Sequence, residues 1–234
     1  MQRHILMSRG ILGSSALAEA VKDMIKKTDR VTVVNLSFFP FHLPDKESYG
    51  AYYHKGSEYY EKIVNAFAPY GIPESSITWI DHYNDTTGTA LKKVNEADIL
   101  YFPGGAPDLL MSRMEHLGIV EAVNRHDGLV IGSSAGAMVQ FKTFHVTPDN
   151  EYRTFVVHTG LDMIGNFAVE VHYRRRKVQK KAMRRIWKKT RKDIYVIPDD
   201  GAVIVCDGVI RCVGTARKHY GRQGTLKKER RNRR

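Results

Sequence analysis

Residues 129–137 read Leu-Val-Ile-Gly-Ser-Ser-Ala-Gly-Ala and combine a short apolar run with a turn of small residues. The run predicts a buried strand, and the residues from Ala135 onward predict the start of a helix. Ser134 stands between Gly132 and Gly136 in the pattern G-x-S-x-G. Such a strand–turn–helix exposes the serine hydroxyl, and the helix start directs N–H groups towards it. The stretch therefore predicts an α/β fold with Ser134 as a candidate nucleophile.

The rest of the chain extends this pattern of strands alternating with helices. Apolar or β-branched runs predict further strands over 3–7, 31–36, 77–83, 98–102 and 167–171. Helical spacing predicts helices over 16–27, 57–70, 89–95 and 109–126, the last broken near Gly118. We expect a mostly parallel sheet with helices on both faces, because alternation of this kind produces that architecture. Residues 38–56, rich in aromatics, Pro and Gly, predict a long, lid-like loop.

Charge is concentrated towards the end of the chain. The 234 residues carry a formal net charge of +12, and twelve Lys or Arg without any acid fall between 174 and 192. Val178, Ala182 and Ile186 form an apolar stripe there, which predicts a helix with a solvated basic face. We expect one α/β domain over residues 1–220 and a basic, disordered tail over 221–234.

Location and binding partners follow from what the sequence lacks. No apolar run is long enough to cross a bilayer, and Met1–Gly10 does not have the form of a signal peptide. We therefore expect a cytoplasmic protein without a membrane partner, in which Cys206 and Cys212 are buried free thiols. No zinc or nucleotide-binding motif occurs, so neither a metal nor another cofactor is expected.

Four segments carry a resemblance to a known family. Gly132–Ala137 matches the G-x-S-A-G-A signature of the serine peptidase family that contains aspartyl dipeptidase and cyanophycinase. Phe102–Gly105, the residues from Gly160-Leu161 to His172-Tyr173, and Ile197–Ala202 resemble three further segments of that family in the same order. The resemblance implies a fold like the class I glutamine amidotransferases, with serine in place of cysteine.

The resemblance also implies a catalytic triad. His172 falls on the family's catalytic histidine and Asp199 on the carboxylate position, where the family usually has Glu. Asp200, beside it, and Asp149, in the turn 148–150, remain alternative partners for the histidine, because the order of triad residues differs between folds.

Two glycine-rich turns predict the oxyanion hole. The N–H of Ala135 follows the nucleophile directly, and the N–H of Gly105 ends the turn 103–105 after the fourth strand. Gly104, next to it, allows the backbone to approach a substrate closely.

The basic residues after His172 suggest the substrate. Arginine in this region of the resembling enzymes engages an acidic side chain, so Arg174 and Arg176 are candidate substrate-binding residues. The expected activity is hydrolysis of short peptides, with a preference for an N-terminal acidic residue. A non-catalytic binding or regulatory protein that uses the basic surface, and an esterase or amidase of another small acyl substrate, remain alternatives. Nucleic acid binding through the basic tail is considered but not favoured, and monomer and homodimer both stay open.

Overall fold

A computed structural model describes residues 3–37, 45–221 and 224–225. Its strands are β1 (Arg3–Met7), β2 (Val31–Asn35), β3 (Ile77–Asp81), β4 (Ile99–Phe102), β5 (Leu129–Ser133), β6 (Thr143–Val146), β7 (Val156–Thr159), β8 (Phe167–Glu170), β9 (Asp193–Val196), β10 (Ala202–Cys206), β11 (Val209–Val213), β12 (Arg217–Gly221) and β13 (Gly224–Thr225). Its α-helices are α1 (Ser15–Val21), α2 (Lys46–Tyr53), α3 (Glu58–Phe67), α4 (Thr87–Glu96), α5 (Pro107–His116), α6 (Val120–Arg125), α7 (Ala135–Met138) and α8 (Lys177–Thr190).

The main sheet has seven strands in the order β11-β10-β1-β5-β4-β2-β3. The five strands from β1 to β3 along this order are parallel, and β10 and β11 extend the sheet in antiparallel fashion. Strands β2, β4 and β5 are buried along their whole length, which is why they read as continuous apolar runs rather than as alternating patterns.

Apolar cores lie on both faces of this sheet. One core joins the sheet to α4, α5 and α6 through residues such as Val94, Leu110 and Val123. The other joins the opposite face to α1 and α3 through residues such as Leu17 and Phe67. The predicted α/β class, with a mostly parallel sheet covered by helices on both faces, is therefore confirmed.

A smaller sheet positions the second half of the site. Its order is β13-β12-β9-β8, and β8 and β9 are parallel strands joined through α8. The carboxyl ends of adjacent parallel strands lie side by side, so the segments after Glu170 and Val196 are brought together. His172 and Asp199 lie in those two segments.

The prediction of a loop over residues 38–56 is wrong for residues 46–53. Residues 46–53 form α2, whose first turn is capped by the Asp45 carboxylate accepting from Ser48 N. Tyr49 and Tyr53 are one turn apart on this helix and pack together in a cluster of tyrosines. Packing of these rings stabilises a helix where Gly and aromatic residues suggested a loop; residues 38–44 lie outside the described part of the chain.

Smaller differences concern element ends and the cysteines. Helix α1 ends at Val21 rather than Lys27, and α7 is a single turn that ends at Met138. Cys206 and Cys212 are free, as expected, but Cys212 is exposed and Cys206 half-buried, since both lie at the antiparallel edge of the main sheet.

In the predicted tail, Gly224–Thr225 pairs with β12, whereas residues 222–223 and 226–234 lie outside the described residues. No helix in the described ranges has both the length and the apolar character needed to cross a membrane.

Candidate active site

Ser134 occupies a strained turn between β5 and α7. Its φ of 51° and ψ of −111° are unusual for a residue with a side chain, and its N–H donates to Met7 O at 2.8 Å. The flanking glycines permit this close packing. A Cβ at Gly136 would lie 2.0 Å from Phe102 O, and one at Gly132 would lie 2.2 Å from Gly136 O. The G-x-S-x-G spacing is therefore a steric requirement of this turn.

Three side chains form a continuous hydrogen-bonded chain beside the turn. His172 Nε2 lies 2.8 Å from Ser134 Oγ, and His172 Nδ1 lies 2.8 Å from Asp199 Oδ1. The structure thus brings together the three residues that the sequence singled out as nucleophile, base and carboxylate. In this order of hydrogen bonds, the histidine can act as a base that accepts the serine proton, and the carboxylate orients the histidine.

The alternative carboxylates lie in other contacts. Asp200 accepts a hydrogen bond from Thr215 Oγ1. Asp149 accepts from the backbone N–H groups of Glu151 and Tyr152, as a turn-forming Asp does. Among the described residues, Asp199 is the carboxylate hydrogen-bonded to the His172 ring.

The backbone of His172 is held from two sides. Its N–H donates to Ser8 Oγ at 2.8 Å, and that hydroxyl in turn donates to Ile197 O at 2.5 Å. Its carbonyl accepts from Gln179 Nε2 at 2.9 Å. His172 has a positive φ of 50°, so these bonds hold a conformation that a side chain disfavours. Sequence reasoning missed both Ser8 and Gln179.

Two arginines surround the carboxylate. Arg174 Nη2 lies 2.9 Å and Arg9 Nε 3.2 Å from Asp199 Oδ2, opposite the oxygen that faces His172. Burial alone would raise the pKa of Asp199, but hydrogen bonds from His172, Arg174 and Arg9 outweigh it and hold the pKa well below the ordinary value. Asp199 is therefore ionised at neutral pH. Sequence reasoning missed Arg9 and predicted a substrate contact, not this ion pair, for Arg174.

The predicted oxyanion donors, Gly105 and Ala135, belong to the two turns that meet at Ser134. Gly105 has a φ of 142°, and a Cβ there would lie 2.7 Å from Ser37 O. Ser37 Oγ donates to Gly104 O at 2.6 Å and Ser37 O accepts from Ala106 N, so the turn is fixed on both sides. A Cβ on Gly104 would lie 3.4 Å from the Ser134 Cβ. Ala135 is the first residue of α7, and its N–H has no acceptor within that helix.

Ser134 and His172 line a cleft of about 490 Å³. Its basic lining consists of Arg9, Arg174 and Arg176. Its acidic lining includes Asp149, Glu151 and Glu170, of which Glu170 is buried and bonded to His145 and Thr147. Within the described ranges, no three side chains of the metal-binding types come together.

A serine on a strained strand–helix turn, bonded through a histidine to a carboxylate at the carboxyl edge of an α/β sheet, defines the class of serine hydrolases. The family comparison narrows the class. Residues 5–213 match the family model of peptidase family S51, so the chain belongs to that family of serine peptidases.

Solved structures with the same fold are distant in sequence. A crystal structure of a protein from Listeria monocytogenes EGD-e, assigned as a peptidase E, is similar with a TM-score of 0.63 and 16% identity, covering 91% of this chain and 98% of that one. A crystal structure of a peptidase from an acI-B1 Actinobacterium is similar with a TM-score of 0.64 and 16% identity, covering 94% and 90%. No curated protein matches the sequence.

Proposed function

We propose that the chain hydrolyses short peptides through a Ser134–His172–Asp199 triad. The observation that carries the proposal is the pair of 2.8 Å contacts that links the serine hydroxyl through the imidazole to the carboxylate. The strained backbone of Ser134 adds support, because a non-catalytic relative would have no need for a serine in this conformation.

The reaction has two halves. Ser134 Oγ attacks the scissile carbonyl carbon while His172 Nε2 takes its proton, and the Asp199 carboxylate stabilises the imidazolium. The N–H groups of Gly105 and Ala135 hold the oxyanion. His172 then gives the proton to the leaving amine, the C–N bond breaks, and an acyl ester remains on Ser134. Water, deprotonated by His172, hydrolyses that ester and restores the hydroxyl.

We infer that the preferred substrate has an acidic N-terminal residue. Arg176 lines the cleft that contains Ser134, and a guanidinium binds a carboxylate with two parallel hydrogen bonds. Arg174 lines it too, but one of its N–H groups is used on Asp199, so Arg176 is the stronger candidate for the substrate side chain. Asp149 and Glu151 lie in the same cleft and suit a free α-ammonium group.

The nucleophile is tested by fluorophosphonate labelling read by intact mass. Wild type is expected to gain one adduct, and Ser134→Ala and His172→Ala to gain none. Ser133→Ala is the matched control, since Ser133 is the neighbouring hydroxyl on the same turn, and it should still label. Labelling of Ser134→Ala, or none of folded wild type with either the probe or small esters, would overturn the triad.

The substrate is tested by comparing Asp-Leu with Asn-Leu as dipeptides that differ only in one charge. Wild type is expected to have a higher kcat/KM for Asp-Leu than for Asn-Leu. In Arg176→Gln, the ratio of these two kcat/KM values is expected to fall about 10- to 100-fold. Arg175→Gln is the control, because Arg175 is exposed but does not line the cleft. Equal rates on both dipeptides with full activity on small esters would favour an esterase instead.

A further inference from the structure

Helix α8 presents a continuous positively charged surface to solvent. All seven basic residues of this basic face are exposed, and no acid occurs from 171 to 192. They are Lys177, Lys180, Lys181, Arg184, Arg185, Lys188 and Lys189. None of the seven forms a salt bridge with a carboxylate of the described residues. Arg185 lies over the Phe155 ring, 4.5 Å from its centroid, so the positive charge of the other six residues is available to a partner.

The opposite face of α8 is buried. Ala182, Met183 and Ile186 are 3%, 0% and 7% exposed, and Met183 and Ile186 pack in a core with Ile194 and Val196 of β9. At 100° per residue, the seven basic residues cover about half of the helix circumference, centred opposite this apolar stripe. The helix is thus anchored by one side and displays charge on the other.

The central row of the basic face is Lys177, Lys181, Arg184 and Lys188. The spacings of four, three and four residues place these side chains along one line of about 16 Å. Each step between neighbours is about 5–6 Å. A row of this kind matches a regular line of negative charge better than it matches a single small anion.

We propose that the basic face of α8 binds the phosphate backbone of nucleic acid without preference for base sequence. Nucleic acid is the repeating polyanion whose charge density suits a line of lysines, and contacts to phosphates need no shaped pocket. The site is separate from the cleft that contains Ser134, because none of the seven basic residues lines that cleft.

Other polyanionic partners fit the observations less well. A helix that lies on a membrane inserts an apolar face, and the apolar face of α8 is already buried in the protein core. Five of the seven exposed residues are lysines, which are depleted in the centres of protein–protein interfaces, and the basic face offers no exposed aromatic anchor.

The test is fluorescence anisotropy of a labelled 20-base-pair duplex of random sequence, titrated with the full chain at several salt concentrations. If the four central residues each contact a phosphate, the affinity from these contacts alone falls about 150-fold between 50 and 200 mM salt. The variant Lys177→Gln/Lys181→Gln/Arg184→Gln/Lys188→Gln is expected to reduce the slope of log K against log salt by about 3 to 4. A second duplex of unrelated sequence should give the same curves.

A charge-matched control distinguishes an effect of the basic face on binding from an effect of the overall net charge. The variant Lys26→Gln/Lys46→Gln/Lys62→Gln/Lys92→Gln removes the same number of positive charges from exposed lysines outside α8 and should leave the slope almost unchanged. Both variants should keep the wild-type circular dichroism and fluorophosphonate labelling. Equal losses in the two variants would overturn the proposal, because the effect would then belong to overall charge.

Two further outcomes also decide the question. Truncation after Thr225 removes six basic residues of the chain end and should leave the contribution of α8 intact. Loss of all binding on truncation, with the α8 variant binding like wild type, would place the site at the chain end. Binding to vesicles with anionic lipid but not to duplex at low salt would identify a membrane partner and end the nucleic acid proposal.

Discussion

Ser134 and His172 face each other across 2.8 Å, but the two regions that carry them are built differently. Every residue from 129 to 141 except Ser134 is buried, so the turn that carries the serine is held by close packing. His172 and Asp199 have 39% and 31% of their side chains exposed and are held by hydrogen bonds and ion pairs. A closely packed region tolerates almost no added side-chain volume. A region held by hydrogen bonds tolerates a substitution, but its side chains then lose their orientation.

The largest expected effect is a steric change in the packed region. In Gly136→Ala the new Cβ would lie 2.0 Å from Phe102 O and 2.6 Å from Phe102 Cβ, so the backbone of α7 or β4 must move. We expect a loss of more than about 4 kcal/mol in the free energy of unfolding, or failure to fold, measured by urea unfolding. Gly165→Ala is the control, because a Cβ there meets nothing within 4 Å. Similar stability of the two variants would show that packing does not fix this turn.

The next effect is on orientation in the polar region. Asp199→Asn keeps the size of the side chain but removes the charge and favours the wrong histidine tautomer. We expect kcat/KM to fall about 10³- to 10⁴-fold. Asp200→Asn changes the adjacent carboxylate, which bonds to Thr215, and should lower kcat/KM less than about threefold. The fold of both variants is checked by thermal unfolding. Equal losses in the two would remove Asp199 from the triad.

The two regions also differ in how far the sequence predicts them. The turn at Ser134 was predicted from residues 129–137 alone, because a strand, two glycines and a helix start lie within nine residues. His172 and Asp199 were predicted through the family resemblance, and the structure places them together. Ser8 and Arg9 were missed, because their contacts with the base region join residues 164 or more positions apart. No local pattern marks such contacts, because Ser8 follows β1 of the main sheet whereas His172 follows β8 of the smaller sheet.

Element types were predicted better than their ends. The parallel strands follow directly from apolar runs. The Gly and aromatic residues of α2 predict a loop, although Tyr49 and Tyr53 have the spacing of one helix face. The predicted substrate role of Arg174 came from its position after His172. A sequence cannot reveal that Asp199 would lie within reach of the same guanidinium, because that depends on the pairing of β8 with β9.

A smaller effect is expected when the hydrogen bonds that hold the backbone of His172 are weakened. Ser8→Ala removes the acceptor of His172 N–H and the donor to Ile197 O at a site where Ser8 is 1% exposed. We expect a loss of about 1–3 kcal/mol in the free energy of unfolding, because polar groups remain buried without partners. The kcat should fall as well, since His172 is no longer fixed. Ser112→Ala, on an exposed turn of α5, should change neither quantity.

The smallest expected effect is a change with pH in the contribution that Asp199, in the polar region, makes to stability. The pKa of Asp199 is lowered in the folded protein, so the folded state favours the ionised carboxylate. Its contribution to stability is complete above the ordinary pKa of 3.8 and is lost as the pH falls further, towards the lowered pKa of the folded state. The difference in urea midpoint between wild type and Asp199→Asn should therefore stay constant from neutral pH to about 4 and shrink below that. Gly136→Ala changes no titratable group, so any folded fraction of it should follow the wild-type pH profile. A difference for Asp199→Asn that persists unchanged as the pH falls towards the lowered pKa would mean that the charge of Asp199 does not supply this stability and that the substitution acts through its hydrogen bonds.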